Sequence, residues 1–297
     1  MDTIAVIIPV RNRPEMLERA VRSVLGQRYE GYSLLVVDDG SDADMSRVRE
    51  LVEANGHSWI RQEHQGVSAA RNAGIQSTDA EWYAFLDSDD AWMPDKLAAH
   101  REFHSAQKQV WLSQSLEIWH RNGIRVNQKK IHAMPEGDGF AASLKRCCIS
   151  PSSVFMHHAL FEKYGLFDEE LPVCEDYDLW LRITACELIG LVKHPLVLKY
   201  GGHPDQLSRS RSAMDRYRVY ALLKLLSSSS LLEGPRREAA VLEALKKVQI
   251  LILGARKHAP VGISVYEQLL EKIKSGDVQG AYEQMRELLI RGKGVSD

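Results

Sequence analysis

Trp82-Tyr83-Ala84-Phe85-Leu86-Asp87-Ser88-Asp89-Asp90 is the stretch whose reading decides the fold. Its apolar first half suits a strand buried on both faces, and its acidic second half leaves the sheet abruptly. Upstream, the same pattern occurs twice. Residues 4–10 form an apolar, β-branched run that ends in Arg11-Asn12, and residues 32–37 form another that ends in Asp38-Asp39-Gly40-Ser41. Helical spacing follows each run: Met16, Leu17, Ala20, Val21, Val24 and Leu25 after Pro14, then Met45, Val48, Leu51 and Val52. A weaker strand at 59–62, a short helix at 67–75 and a helix from Pro94 to about Ala106 complete the pattern. This βαβαβαβ order predicts an α/β sheet whose strands are mostly parallel.

Beyond residue 106 the pattern loosens. Runs at 110–121 and 124–130 flank Asn122-Gly123, a strong two-residue hairpin signal. Residues 152–156 and 188–200 read as strands and 177–186 as an amphipathic helix. From about Ser212 strand signals cease, and residues 217–226, 236–256, 265–274 and 278–291 read as four helices. The expected organisation is a first domain over 1–210 and an all-helical segment over 211–297.

Composition bounds the function classes. With 297 residues, 44% of them hydrophobic, the chain can bury a large core. Its 38 basic and 40 acidic residues nearly cancel, so no global basic field points to nucleic acid. Four cysteines without a CxxC pair are expected to be reduced thiols in a cytoplasmic protein. No apolar run approaches the ~20 residues needed to cross a bilayer. The expectation is a soluble or peripheral protein.

In open α/β sheets, ligands bind beyond the carboxyl ends of the strands, where the three polar clusters fall. Asp87 and Asp89, at i and i+2 on extended chain, project to one side. Two carboxylates held that close repel unless a cation neutralises them, and hard oxygen ligands suit Mg2+ or Mn2+. Mg2+ typically bridges carboxylates to substrate phosphates, so the expected ligand carries phosphate. A competing account has these aspartates only capping the next helix. Asp90 is read differently, as a solvent-facing or helix-capping residue. Asp39 offers a fixed acceptor to a base or ribose hydroxyl, whereas an Asx-type turn with Gly40 and Ser41 competes, above all for Asp38. Arg71 is suited to meet a phosphate bidentately or to form a structural ion pair. Glu175 and Asp176 open a helix, where acidic residues stabilise the dipole; either would also serve as a general base. His203, in Gly-Gly-His-Pro-Asp, is a candidate cation ligand or an ordinary loop histidine.

These pieces together carry a resemblance. IAVIIPVRNR, LLVVDDGSDAD, QGVSAARNAGI, WYAFLDSDDAWMPDKL and EDYDLWLRI occur in order, and residues 1 to about 205 resemble the inverting, GT-A-fold glycosyltransferases of the family 2 group. The resemblance implies a Rossmann-like mixed sheet followed by a C-terminal helical segment. Pro9 and Arg11 would then line the donor nucleotide, Asp39 would bind its uracil or ribose, and Arg71 would assist there. Asp87, with Ser88 beside it, would contact ribose or metal-bound water, and Asp89 would ligate the cation. Asp176 would be the catalytic base, with Glu175 as the fallback. A UDP-sugar donor, an Mn2+ or Mg2+ cofactor and a saccharide or lipid-linked saccharide acceptor follow from the same resemblance. The QxxRW-type sequence of processive members is missing, which implies transfer of one or a few sugars. The helices after residue 210 match no family pattern; self-association, shaping of the acceptor site and docking at a membrane surface are their candidate roles.

Two other classes remain in view. A nucleotidyltransferase would carry a Gly-rich basic loop after its first strand, where this chain has Pro9-Val10-Arg11-Asn12-Arg13-Pro14-Glu15. An idle nucleotide-sugar-binding scaffold would bind the donor without turnover. A dehydrogenase is disfavoured because no GxGxxG occurs.

Overall fold

The computed structural model describes residues 3–202, 214–228, 231–258 and 263–292. The chain forms two compact units. Unit 1 holds Met1–Gly139, Cys148–Pro172 and Glu187–Gln206; unit 2 holds Phe140–Cys147, Val173–Cys186 and Leu207–Asp297. The division is not a single cut near residue 210, because two earlier segments join the later helices.

Unit 1 carries a nine-stranded sheet. Its first half follows the apolar runs: β1 (Ile4–Val10), α1 (Pro14–Leu25), β2 (Tyr32–Asp39), α2 (Ser46–Ala54), β3 (Ser58–Gln62), α3 (Val67–Gln76) and β4 (Trp82–Phe85). Strands β3, β2, β1 and β4 are neighbours in that order and all pair in parallel. β1 is buried along its whole length, and Leu17, Ala20, Val21 and Val24 of α1 pack over it in one cluster. On α3, Gly74 lets the helix lie against β1: a Cβ there would stand 2.6 Å from Ile7 Cγ2.

The second half supplies the antiparallel pairs of the mixed sheet that the family resemblance implies. After β5 (Ala91–Trp92) and α4 (Lys96–Ala106) come β6 (Leu112–Arg121), β7 (Ile124–Val126), β8 (Val154–His157) and β9 (Ile189–Gly201). β8 runs antiparallel to both β4 and β6, and β9 runs parallel to β6 but antiparallel to β5. The sheet is therefore mixed. Strand direction here is set by which long connection returns to which edge, and an apolar run does not encode that. At the β6–β7 turn Asn122 and Gly123 both have positive φ (51° and 77°), the geometry the dipeptide favours.

Unit 2 is helical. It contains α5 (Phe140–Lys145) and α7 (Glu175–Thr184), while the short α6 (Ala159–Tyr164) between them belongs to unit 1. Four more helices follow: α8 (Asp215–Ser227), α9 (Gly234–His258), α10 (Ile263–Ser275) and α11 (Val278–Gly292). Tyr217, Val219, Tyr220, Leu222, Leu223 and Leu225 of α8 are all buried, so this helix is apolar around most of its circumference and lies inside the unit. Helix α9 supplies cations to carboxyl ends of other helices. Arg236 donates to the carbonyls of Thr184 and Ala185, Arg237 to that of Leu226 (2.9 Å), and Lys247 to that of Lys145 (3.2 Å). Each satisfies a carbonyl that its own helix leaves unpaired. No helix among the described residues is long and apolar enough to cross a membrane.

A buried polar chain runs beneath the sheet of unit 1. His104 Nδ1 lies 2.9 Å from the Val110 carbonyl, which can only accept, so that nitrogen carries hydrogen. His104 Nε2 then accepts from Ser113 Oγ (2.8 Å), Ser113 accepts from His100 Nδ1 (2.7 Å), and His100 Nε2 accepts from Lys96 Nζ (3.2 Å). Lys96 also donates to the carbonyls of Ser153 (3.1 Å) and Val154 (3.4 Å). Burial pushes the Lys96 ammonium down to about 7 from an ordinary 10.5 and also depresses both histidines, which stay neutral. Between those two values the unfolded chain binds more protons than the folded one. Stability is therefore expected to rise with pH above about 7. Urea unfolding of wild type and Lys96→Met at about pH 7, 8 and 9 tests this. The difference in stability between the two should move in favour of wild type as pH rises; a pH-independent difference would refute the linkage.

Candidate active site

The register of the parallel strands places the polar clusters side by side. Val10 pairs with Asp38, and Ile7 pairs with Phe85, two residues before Asp87. Asn12, in the left-handed region (φ 56°), joins the first two clusters: its N–H donates to Ser41 Oγ (2.9 Å) and its Oδ1 accepts from the N–H groups of Asp42 and Ala43. Asp38 accepts from the Ser41 N–H at 2.9 Å, the Asx-type turn that competed with a ligand role. Pro9 is buried within β1, and Arg11 is exposed at its end.

Asp39 is buried and fully used. Oδ1 accepts from Gln62 Nε2 and the Gln65 N–H (both 2.8 Å), while Oδ2 meets His64 Nδ1 (2.7 Å) and the Gly66 N–H (2.9 Å). It thus organises the loop that enters α3. A carboxylate offers about four acceptor positions, so a nucleotide group would have to displace one of these donors. The His64 side chain is 50% exposed. Gln62 and His64 were not picked out from sequence; the polar loop before Gly66 was their only signal.

Beyond β4, ligand oxygens of Asp87, Asp89 and Asp90 all lie within 4.8 Å of one another. Among the described residues this is the only group of three or more potential metal ligands so arranged. Three hard carboxylates at that spacing fit a divalent cation. Each one also faces a basic side chain: Arg71 Nη2 is 2.8 Å from Asp87, Arg13 Nη1 is 3.3 Å from Asp89, and Lys199 Nζ is 3.4 Å from Asp90. Burial alone would raise the Asp87 carboxyl, but Arg71 and Lys199 outweigh it and hold it below its ordinary range. Arg19 donates to the Asp89 carbonyl and lies over the Tyr200 ring. Ser88 is buried.

Asp90 departs from its expected solvent-facing role. It is 1% exposed, accepts from Ser152 Oγ (2.6 Å) and the Tyr200 N–H (3.1 Å), and is ion-paired with Lys199. The partners lie 62 and 110 positions away in sequence, beyond the reach of any local pattern. Burial, together with Asp89 and Asp87, lifts its pKa to about 7 against the pull of Lys199. Ser152 also accepts from the Asp87 N–H (3.1 Å), so one hydroxyl ties two members of the cluster. Its turn, Pro151–Ser153, is held by Trp92 Nε1 on the Ser152 carbonyl and by Lys96 on the Ser153 carbonyl. Ser152, Lys199, Arg13 and Arg19 were all missed from sequence.

Asp176 and Glu175 belong to unit 2. Cys174 adopts a left-handed conformation (φ 63°) that starts α7 abruptly, with Glu175 buried and Asp176 half-buried. Asp176 Oδ2 accepts from the Cys147 thiol (3.1 Å), and Oδ1 accepts from the Tyr177 N–H (2.7 Å). Burial, then the charges of Asp176 and Glu175, push the Cys174 thiol up to about 12, so it stays protonated. Asp178, one turn on, is fixed by Arg182 (2.7 Å) and Lys224 (3.1 Å). His203 lies outside the described residues.

The family model described as "Glycosyl transferase family 2" matches residues 5–164. The chain belongs to this family. Among solved structures, the GT-A-type S. aureus TarS 1-349 in complex with UDP-GlcNAc is similar over 98% of this chain and 92% of its own, with TM-score 0.69 and 17% identity. Mannosyltransferase PcManGT from Pyrobaculum calidifontis, in complex with GDP-Man and Mn2+, gives TM-score 0.58 at 15% identity over 97% of this chain and 87% of its own. The likeness to TarS establishes the GT-A fold of this family 2 chain. An uncharacterized glycosyltransferase of Rickettsia felis is 30% identical over 63% of this chain; this chain spans only 31% of that relative's length. The Escherichia coli UDP-Glc:alpha-D-GlcNAc-diphosphoundecaprenol beta-1,3-glucosyltransferase WfgD is 25% identical over 86% of this chain and 95% of its own.

For this family 2 chain, Ser152→Ala is expected to lower stability by about 1–3 kcal/mol, because a buried carboxylate loses a donor that nothing replaces. Equilibrium unfolding near pH 7 measures it. An unchanged midpoint would show that Ser152 is dispensable to the acidic cluster.

Proposed function

We propose that the protein transfers a hexosyl or hexosaminyl group from a nucleoside diphosphate donor, UDP-sugar by preference, to an acceptor hydroxyl with inversion. The observation that carries this reading is the Asp87–Asp89–Asp90 carboxylate cluster beyond the parallel strands of a family 2 chain. In this reading Asp89 holds a divalent cation, Mn2+ or Mg2+, with Asp87 beside it. When bound, the cation supplies electrostatic stabilisation to the departing diphosphate. Pro9, Arg11, Asp39, Arg71 and Ser88 line the nucleotide, and the accessible His64 yields its place on Asp39 to the base or ribose.

Asp176 is the proposed base. An alcohol is a poor nucleophile, and a carboxylate that accepts its proton as the new bond forms lowers the barrier. Glu175 is the fallback, but its burial makes Asp176 the better placed of the two. The acceptor is a saccharide or lipid-linked saccharide of cell-surface glycan synthesis; WfgD, whose name specifies UDP-Glc and a diphosphoundecaprenol-linked acceptor, supports that choice. Work at the inner face of a membrane by a cytoplasmic protein is part of the same proposal.

Asp176→Asn should reduce kcat by about 10²–10⁴-fold, the usual contribution of a positioned base, while UDP-sugar affinity stays near wild type. Released UDP, followed with a nucleotide-sugar panel and an undecaprenol-linked saccharide in the presence of Mn2+, gives the rate. Thermal shift gives the affinity. Full turnover in the variant would remove Asp176 from the mechanism, and donor binding without turnover in wild type would leave a scaffold.

A further inference from the structure

Three of the cations around the acidic cluster each face a different carboxylate. Arg71 is 3% exposed on α3 and lies over the Phe167 ring, 5.1 Å from its centroid. Lys199 is built into β9, with Nζ also donating to Ser150 Oγ at 2.8 Å. Arg13 stands at the turn where β1 ends and α1 begins, with φ −137° and ψ 56°, between left-handed Asn12 and Pro14. Its guanidinium approaches Asp89 at 3.3 Å, with 17% of the side chain exposed.

A divalent ion on Asp89 would compete for the carboxylate that Arg13 already neutralises. Two cations within a few ångströms of each other repel strongly in a partly buried site. A guanidinium displaced from a carboxylate is well matched to a phosphate, since both anions accept its parallel N–H pair.

We propose that Arg13 is a stand-in cation: it neutralises Asp89 while the cluster is empty, and passes from Asp89 to the anionic diphosphate when a divalent ion enters. This rests on the reading of the cluster as a cation-dependent donor site. Metal alone then binds against Arg13, whereas metal with a nucleoside diphosphate gives both the carboxylate and the guanidinium a partner. Arg13 thereby couples metal and nucleotide, so the protein favours the metal–nucleotide pair over either component alone.

Mn2+ binding to the full chain, followed by the electron paramagnetic resonance of free Mn2+, tests this without any turnover. Arg13→Gln should bind Mn2+ alone about fivefold or more tightly than wild type, the scale of a partly exposed ion pair. Arg13→Lys, which keeps the charge, should stay near wild type. The factor by which UDP tightens Mn2+ binding should shrink in Arg13→Gln, as linkage requires. Equal Mn2+ affinity for wild type and a folded Arg13→Gln, in the absence of UDP, overturns the stand-in role while leaving the cation site intact. Should wild type take up no Mn2+ even with UDP, or Asp89→Asn take it up equally well, the cation site fails and the stand-in role goes with it.

Discussion

Burying the carboxylate of Asp90 is the constraint on which unit 1 turns. An unpaired charge away from water costs several kcal/mol, so it persists only where donors are brought to it. Here they come from far along the chain: the Ser152 hydroxyl, the Tyr200 N–H and the Lys199 ammonium. To deliver them, β9 must run antiparallel to the two-residue β5 and the turn at Pro151–Ser153 must sit directly beneath the acidic stretch. Trp92 and Lys96 hold that turn from below through the carbonyls of Ser152 and Ser153. The short antiparallel edge strand thus lies beside the donors that the buried Asp90 receives.

The same arrangement sets the electrostatics above it. Three carboxylates gathered within 4.8 Å would repel one another, and Arg71, Arg13 and Lys199 offset that repulsion one by one. The three carboxylates therefore stay close together, each facing a cation of its own. Asp39 contributes at a distance: by accepting from Gln62, His64 and the N–H groups of Gln65 and Gly66, it fixes the entry to α3, the helix that carries Arg71.

Unit 2 obeys a different economy. Its helices end in carbonyls without intrahelical partners, and α9 answers three of those ends with Arg236, Arg237 and Lys247. One capped helix is α7, whose opposite end presents Asp176. The left-handed Cys174 and the Cys147 thiol together fix how that carboxylate leaves the chain.

By itself, the sequence determined the family and most of the elements, though not β5, α5 or α6. β-Branched and aromatic runs become strands, 3.6-residue spacing becomes helices, and the Asn122-Gly123 turn follows from backbone sterics. All of these are local, so they survive in a linear reading, as does the placement of Asp39, Asp87 and Asp89 at strand ends. Tertiary structure alone decided which strands run against their neighbours, that 140–147 and 173–186 join the late helices, and that Asp90 is inside and not in solvent. It alone brought Ser152, Lys199 and Arg13 to the acidic cluster. The physical reason is range. A charge and its partner attract according to their separation in space, and the chain between Asp90 and Tyr200 carries no local sign that its two ends meet.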